Sequence, residues 1–255
     1  MIAALGMYDR AEVQGANDRF WALIRDRMRA KGLTAPDALT RGAGAYWEAW
    51  TAPDLILSQT CGFPYRAGLH GKVTLIGTPD YGVEGCSPGH YRSVFVANTR
   101  DPRNSLVAFD GAKFAFNEDF SQSGWAAPQC HAINLGIALP PHLRTGSHVM
   151  SALAVAEGRA EIAAIDAVTW DMITQWEPFA RELKVVATTD PTPGLPYIAA
   201  LGTDAAMMFD GIASAIAALP GPDRATLRLK GLIRIAPAAY LAIPTPPTPA
   251  ALGMA

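Results

Sequence analysis

An excess of charge of one sign, long apolar runs and metal-ligand spacings are what this 255-residue chain lacks. Its 21 basic and 23 acidic residues leave a formal charge of −2, and they are spread along the chain, which excludes the electrostatic footprint of a nucleic-acid or anionic-membrane binder. No apolar stretch reaches the ~18 to 20 residues that a spanning helix needs. Cysteine is scarce: Cys61, Cys86 and Cys130 show no CxxC or Cys/His pattern, so no structural metal is expected. Cys61 in TCG and Cys86 in EGC sit in Gly-flanked loops, which leaves two readings, a Cys61–Cys86 disulfide or buried thiols. GxSxG, P-loop and HExxH patterns are missing. The one pair of catalytic type, Cys130 beside His131, would point about 100° apart on a helix with no third group to orient it. No catalytic residues and no cofactor are therefore expected. The first residues also lack the basic start and apolar stretch of a secretory signal, so the sequence as written reads as cytoplasmic.

What is present is ample apolar material, 50% hydrophobic against 17% charged residues, enough for one large domain or two lobes of about 100 to 130 residues. A strand over residues 2–7 leads into an amphipathic helix over 17–30, in which Phe20, Trp21, Leu23, Ile24 and Met28 recur at helical intervals and Gly32 ends the pattern. Short apolar strands follow at 55–57, 73–76, 94–97 and 114–116. A helix over 147–157, a strand over 161–165, a helix over 167–176 and a strand over 183–187 continue the alternation, and further helices are expected over 204–218 and 224–230. Alternating α and β segments predict an α/β protein with mostly parallel sheets flanked by helices. Two lobes fit this order: residues 1–92 with 189–243 as a discontinuous lobe 1, and 93–188 as lobe 2. Hinge crossings are expected near 93–98 and 185–190. The Thr-Pro-rich tail, 244–255, reads as extended or disordered.

The segment FAFNEDFSQSGWAA places a strand and a polar loop before Ser121, Gln122, Ser123 and Gly124, where a helix should start. The first N–H groups of a helix lack internal partners and carry partial positive charge, serine hydroxyls add donors, and glycine admits close approach, so this pattern suits an anion. Simple N-capping by Ser121 or Ser123 explains it equally well. A second helix start, Thr145, Gly146, Ser147 and His148, offers more donors and an imidazole; His148 alone reads as a cap or surface residue. Asp166 ends an apolar strand at the carboxyl edge, where open α/β sheets place ligands, or else it only caps the next helix. Tyr8, Tyr81, Tyr91, Trp125 and Tyr197 lie beside strand ends or helix starts, as cleft walls or as core.

Together, SQTCGFPY, GTPDYG, GHYRSVFVAN, SQSGWAA, TGSH, AVAEGRAEIAAIDAVTW and TPGLPY, spanning about residues 58–197, resemble the phosphate/phosphite/phosphonate-binding proteins of ABC importers. That resemblance implies the type II periplasmic-binding-protein plan, two lobes closing over a small oxyanion, an ABC permease as partner, a periplasmic setting and no catalysis. It also implies that Ser121, Gln122, Ser123 and Gly124 stand in the family's Ser-x-Ser-Gly oxyanion motif, that His148 matches an oxyanion-contacting histidine, and that Tyr91 matches a cleft tyrosine. Family members that bind an aminoalkylphosphonate carry acids where this chain has Val168 and Leu195, which favours a ligand without an amine. Asp166 either replaces one lost acid or selects a protonated anion. The rival reading is a cytosolic sensor or enzyme that uses the same fold for a different small ligand.

Overall fold

A computed structural model describes residues 1–254. Its strands, in chain order, are β1 (Ile2–Ala4), β2 (Leu55–Gln59), β3 (Val73–Asp80), β4 (His90–Tyr91), β5 (Ser93–Asn98), β6 (Phe114–Phe116), β7 (Pro141–Arg144), β8 (Ile162–Asp166), β9 (Leu183–Thr188), β10 (Thr192–Pro193), β11 (Tyr197–Ala200) and β12 (Gly231–Ile233). The chain divides into two units. Unit 1 comprises Met1–His90 and Pro193–Leu241; unit 2 comprises Tyr91–Thr192 and the residues that follow Leu241.

In unit 1 the sheet order is β1-β2-β11-β3-β12. β1 and β2 are parallel, while β11 runs antiparallel to both β2 and β3, and β12 antiparallel to β3. Three of the five strands thus share a direction, and the strand that returns from unit 2 enters the centre of the sheet against them. The helix Gln14–Ala30 covers this unit with Phe20, Trp21, Ile24 and Met28 buried along one face, the spacing the sequence shows. It ends where Gly32 takes φ 79° and the Leu33 N–H reaches back to the Met28 carbonyl at 3.1 Å, a glycine-dependent helix stop. A core of Trp50, Leu55, Tyr65, Leu69, Val73, Ile198 and Tyr240 fills the other side.

Unit 2 has the order β7-β6-β8-β5-β9. β6 is parallel to β7 and β8, and β5 is antiparallel to β8 and β9, so four of the five strands point one way. Every residue of β6 and β8 is buried, as expected of strands covered on both faces. Val96, Ala115, Ala152, Val155, Ile165 and Ile173 meet in the core that the helices His148–Ala156 and Ala167–Trp176 build on this sheet.

The chain passes between the units at 90/91, 192/193 and 241/242, and β4 and β10 pair as a separate ribbon; residues 93–98 and 185–188 belong to β5 and β9. Of the two readings of the Pro-rich tail, whose last residue, 255, lies outside the described residues, the disordered one does not hold: residues 244–248 run without helix or strand, Pro246 and Pro249 are buried and a 3-10 turn forms over Ala250–Leu252. Among the described residues all three cysteines are thiols, so Cys61 and Cys86 are not bonded. Cys61 is 6% exposed at the start of the turn Gly62–Pro64, inside the core of unit 1, whereas Cys86 is only partly covered.

Candidate functional site

The expected anion motif begins where β6 ends. Ser121 has extended backbone angles and its side chain accepts the Gly124 N–H at 2.9 Å. The turn that follows, Gln122–Ala126, has π-helical register, with the N–H groups of Trp125 and Ala126 both on the Ser121 carbonyl, at 3.2 and 2.9 Å. Such widened turns recur at functional sites because they re-aim the first residues of a helix. The helix Ala127–Asn134 continues from it. Glycine is required at 124 for space: a Cβ there would lie 1.8 Å from Asn117 Oδ1. Asn117, the last residue of FAFN, therefore lies directly against the turn.

The second helix start is stitched to the same strand end. The Thr145 N–H and hydroxyl both donate to the Phe116 carbonyl, at 2.9 and 3.1 Å, and the Gly146 N–H donates to the Asn117 carbonyl at 2.9 Å. Gly146 makes that turn with φ 82°, a conformation that glycine adopts without a Cβ penalty. Ser147 caps the helix His148–Ala156 by accepting the Met150 N–H at 3.2 Å. The imidazole of His148 is thereby placed against the motif, with Nε2 2.9 Å from Ser123 Oγ. Ser121, Gln122, Ser123, Gly124, Ser147 and His148 are thus brought together within unit 2. The Ser123 carbonyl is held by the Ser93 hydroxyl at 2.8 Å, a tie between β5 and the turn that sequence reading missed.

Loss of hydration pushes His148 down to about 4, partly offset by the nearby Ala164 carbonyl. The ring is enclosed although the residue as a whole keeps some exposed surface. At neutral pH the imidazole is uncharged, so its contribution is a directed N–H or lone pair and not a positive charge. Asn117 Oδ1 is shielded from solvent and outside hydrogen-bonding geometry with any described atom, and the equally shielded His148 Nδ1 has only the Ala164 carbonyl near its ring, short of good hydrogen-bonding geometry. Two such atoms beside one turn are costly unless something completes them.

Asp166 is 2% exposed and is the N-cap of the helix Ala167–Trp176: its Oδ1 accepts the N–H groups of Val168 and Thr169 at 2.8 and 3.0 Å. It pairs with Ser93 across β5 and β8, which places it on the sheet edge that carries the motif. Tyr91, on β4, is 3% exposed. Cys130 donates to the Pro244 carbonyl at 3.7 Å, while His131 Nδ1 faces Asp190 at 4.0 Å, so the two are engaged separately.

Tyr8 and Tyr81 belong to unit 1, where their rings meet edge to face at 5.0 Å. Gln59 Nε2 donates to the Tyr81 hydroxyl at 3.0 Å and to the Leu195 carbonyl at 3.1 Å. Burial raises the pKa of Tyr197 well above the usual phenol range, with Tyr81 adding to the effect. Unit 1 therefore has its own polar aromatic cluster, and Gln59, in SQTCG, is a member that sequence reading passed over. Among the described residues no three His, Cys, Asp or Glu groups are arranged to hold a metal, and no helix is long and apolar enough to cross a membrane.

Against this geometry the comparisons are decisive for the family. Residues 58–240 match the family described as ABC transporter, phosphonate, periplasmic substrate-binding protein, more than two thirds of the chain. It belongs to that family. A member is the substrate-binding component of an ABC importer and not an enzyme; at family level its ligand is a small oxyanion and its protein partner a permease. Among solved structures, PhnD1 from Prochlorococcus marinus in complex with methylphosphonate is 16% identical at a TM-score of 0.71, covering 94% of each chain. A Xanthomonas citri protein bound to chloride is 17% identical at 0.69, covering 99% of this chain and 96% of that one. The binding-protein component of an ABC phosphonate transporter from Pseudomonas aeruginosa is 16% identical at 0.64, covering 91% and 80%. At these identities the likeness establishes the fold, the two-lobed type II periplasmic-binding-protein class. No curated protein matches the chain by sequence.

Proposed function

We propose that this protein captures a phosphate, phosphite or simple phosphonate for ABC-type import, with the oxyanion seated on Ser121, Gln122, Ser123, Gly124, Ser147 and His148. The observation that carries the reading is the 2.9 Å contact of Ser123 Oγ with His148 Nε2 at the Ser-x-Ser-Gly turn. When Nε2–H donates to Oγ, the serine hydroxyl proton is released toward a ligand oxygen. Backbone N–H groups at the two helix starts supply the remaining donors. Tyr91, by the resemblance, and Tyr8 and Tyr81 are further candidate contacts, and contacts that a protein of this class makes only in its closed form shift the population toward it.

A ligand without an amine is favoured. Val168 and Leu195 are 3% and 2% exposed, apolar where the aminophosphonate binders of the resemblance carry acids, and Asp166 Oδ1 already accepts two backbone N–H groups. An unpaired ammonium left among such groups costs several kcal/mol, enough to erase useful affinity. Methylphosphonate, the ligand of the Prochlorococcus protein, meets the requirement.

Calorimetry and thermal shift with phosphate, phosphite, sulfate, methylphosphonate and aminoethylphosphonate test this reading. A bound anion at about 100 times its Kd adds ~2.7 kcal/mol. Methylphosphonate or an inorganic phosphorus oxyanion should raise the Tm and aminoethylphosphonate should not. Ser123→Ala should weaken binding about tenfold to a hundredfold, the worth of a hydrogen bond to a charged group. No rise with any phosphorus oxyanion would refute the assignment.

A further inference from the structure

The oxyanion turn has a second neighbour that nothing in its binding role requires. Trp125 lies within the turn Gln122–Ala126, is fully buried, and packs its ring 4.8 Å from Phe116 and 6.3 Å from Phe114. Its indole N–H is its one side-chain donor, and a buried indole needs a partner. It donates at 3.2 Å to the carbonyl of Pro247, in the tail. One helical turn beyond, Cys130 donates to the Pro244 carbonyl. Pro246 and Pro249 are buried between and after these contacts.

The tail then locks itself. Thr248 Oγ1 accepts the Ala251 N–H at 3.2 Å, and the Met254 N–H reaches the Pro249 carbonyl at 3.0 Å. Prolines at 244, 246, 247 and 249 leave few backbone N–H groups to satisfy and little chain entropy to lose on docking, the same economy by which Pro-rich segments bind aromatic-lined surfaces. Its other end is anchored as well. Tyr240, in unit 1, is 1% exposed, and its hydroxyl donates to the Gly194 carbonyl at 3.1 Å and contacts Thr78 Oγ1 at 2.5 Å. Only residues 241–243 separate that anchor from Pro244, so the tail is a short third covalent link between the units.

We infer that the C-terminal segment 242–254 is a strap seated on Trp125, and that its seating holds the oxyanion turn in its binding geometry. Trp125 is then a positioning residue: it touches no ligand in the proposed site and acts through the backbone of the turn that contains it. Releasing the strap leaves the indole N–H buried without its acceptor and loosens the amides that face the anion. This inference rests on the proposed oxyanion site for its consequence to binding, but the strap itself is testable without a ligand.

The test uses the full chain with Pro246→Asp, which puts a charge into the buried seat, and Pro246→Val, which keeps it apolar. Hydrogen exchange is read at residues 122–126 in the ligand-free protein, with the helix Ala205–Ala218 of unit 1 as an internal control. The Asp variant should speed exchange across the turn about tenfold and leave the control unchanged, while the Val variant should stay near the parent. Trp125→Phe, which keeps the ring and removes the N–H, should shift exchange in the same direction by a smaller factor. In parallel, the Kd for methylphosphonate should weaken about tenfold for Pro246→Asp and recover for Pro246→Val. Unchanged exchange at 122–126 in the Asp variant overturns the strap, whatever methylphosphonate does. If exchange responds as expected but the parent protein binds no phosphorus oxyanion, the strap stands and the oxyanion reading fails.

Discussion

Protonation of His148 should be the main acid lesion of unit 2. Its ordinary value of 6.5 is pushed down to about 4 by loss of hydration. Between those two values the unfolded chain carries a proton that the folded chain does not, so stability rises with pH across that window. The contribution is therefore complete well above pH 6.5 and is lost as pH falls toward 4, the loss being about 2 kcal/mol by pH 5 and about 3 kcal/mol in all. Urea unfolding at pH 7.5, 6, 5 and 4.5 measures it, and His148→Gln, which is neutral throughout and keeps a donor, should flatten the acid limb by that amount. A bound phosphorus oxyanion favours the protonated ring and should shallow the slope in the parent protein. If parent and variant lose stability in parallel from pH 6.5 to 4.5, His148 is not the group held neutral by the fold.

Gly124→Ala should cost about 1 to 3 kcal/mol, since its Cβ would fall on Asn117 Oδ1 at 1.8 Å; adding Asn117→Ala should recover most of that in urea unfolding, and no recovery would show that the clash lies elsewhere. Asp166→Ala should cost about 1 kcal/mol through loss of the cap on Val168 and Thr169, whereas Asp166→Asn should keep the cap. If Asp166→Asn leaves the pH dependence of methylphosphonate binding unchanged, the carboxylate acts on the helix and not on the ligand's protonation. Thiol titration of the denatured, unreduced protein should find three reactive thiols, from Cys61, Cys86 and Cys130; a single thiol would show that two of them are bonded, and peptide mapping would say which.

Long periodic segments were readable from the sequence because one face decides them: Phe20, Trp21, Ile24 and Met28 define the first helix whatever surrounds it. β11 escaped the same reasoning. Tyr197–Ala200 is four residues between Pro196 and Gly202, too short for a period, and its central place depends on pairing with Gln59 and Gly77, which are distant in the chain. The tail misled for a related reason. Its composition is that of a solvated segment, and only the Trp125 indole, more than a hundred residues away, gives Pro247 a reason to be ordered. Ser121, Ser123, Gly124 and His148 were singled out by residue type and resemblance, and folding brings them together; their part in binding is the proposal made above. Asn117 was not singled out, because its part comes from an approach to Gly124 that only folding creates.

The site's electrostatics follow from the same compactness. His148 is kept neutral, and Arg144, the guanidinium nearest in sequence to the second helix start, is paired with Glu118 and Asp119. An anion at the proposed site would be held by oriented dipoles: hydroxyls, an imidazole and the N–H groups of two helix starts. Dipoles act only at short range and in fixed directions, so affinity depends on where they point more than on net charge. At the proposed site that requirement would account for the ties that fix the surrounding backbone. The Ser93 hydroxyl fixes the Ser123 carbonyl, Thr145 and Gly146 fix the loop to β6, and Ser121 fixes Gly124. A cationic site tolerates a loose frame because charge attracts from many angles; a neutral one does not, and the strap inferred on Trp125 would add one more restraint to it.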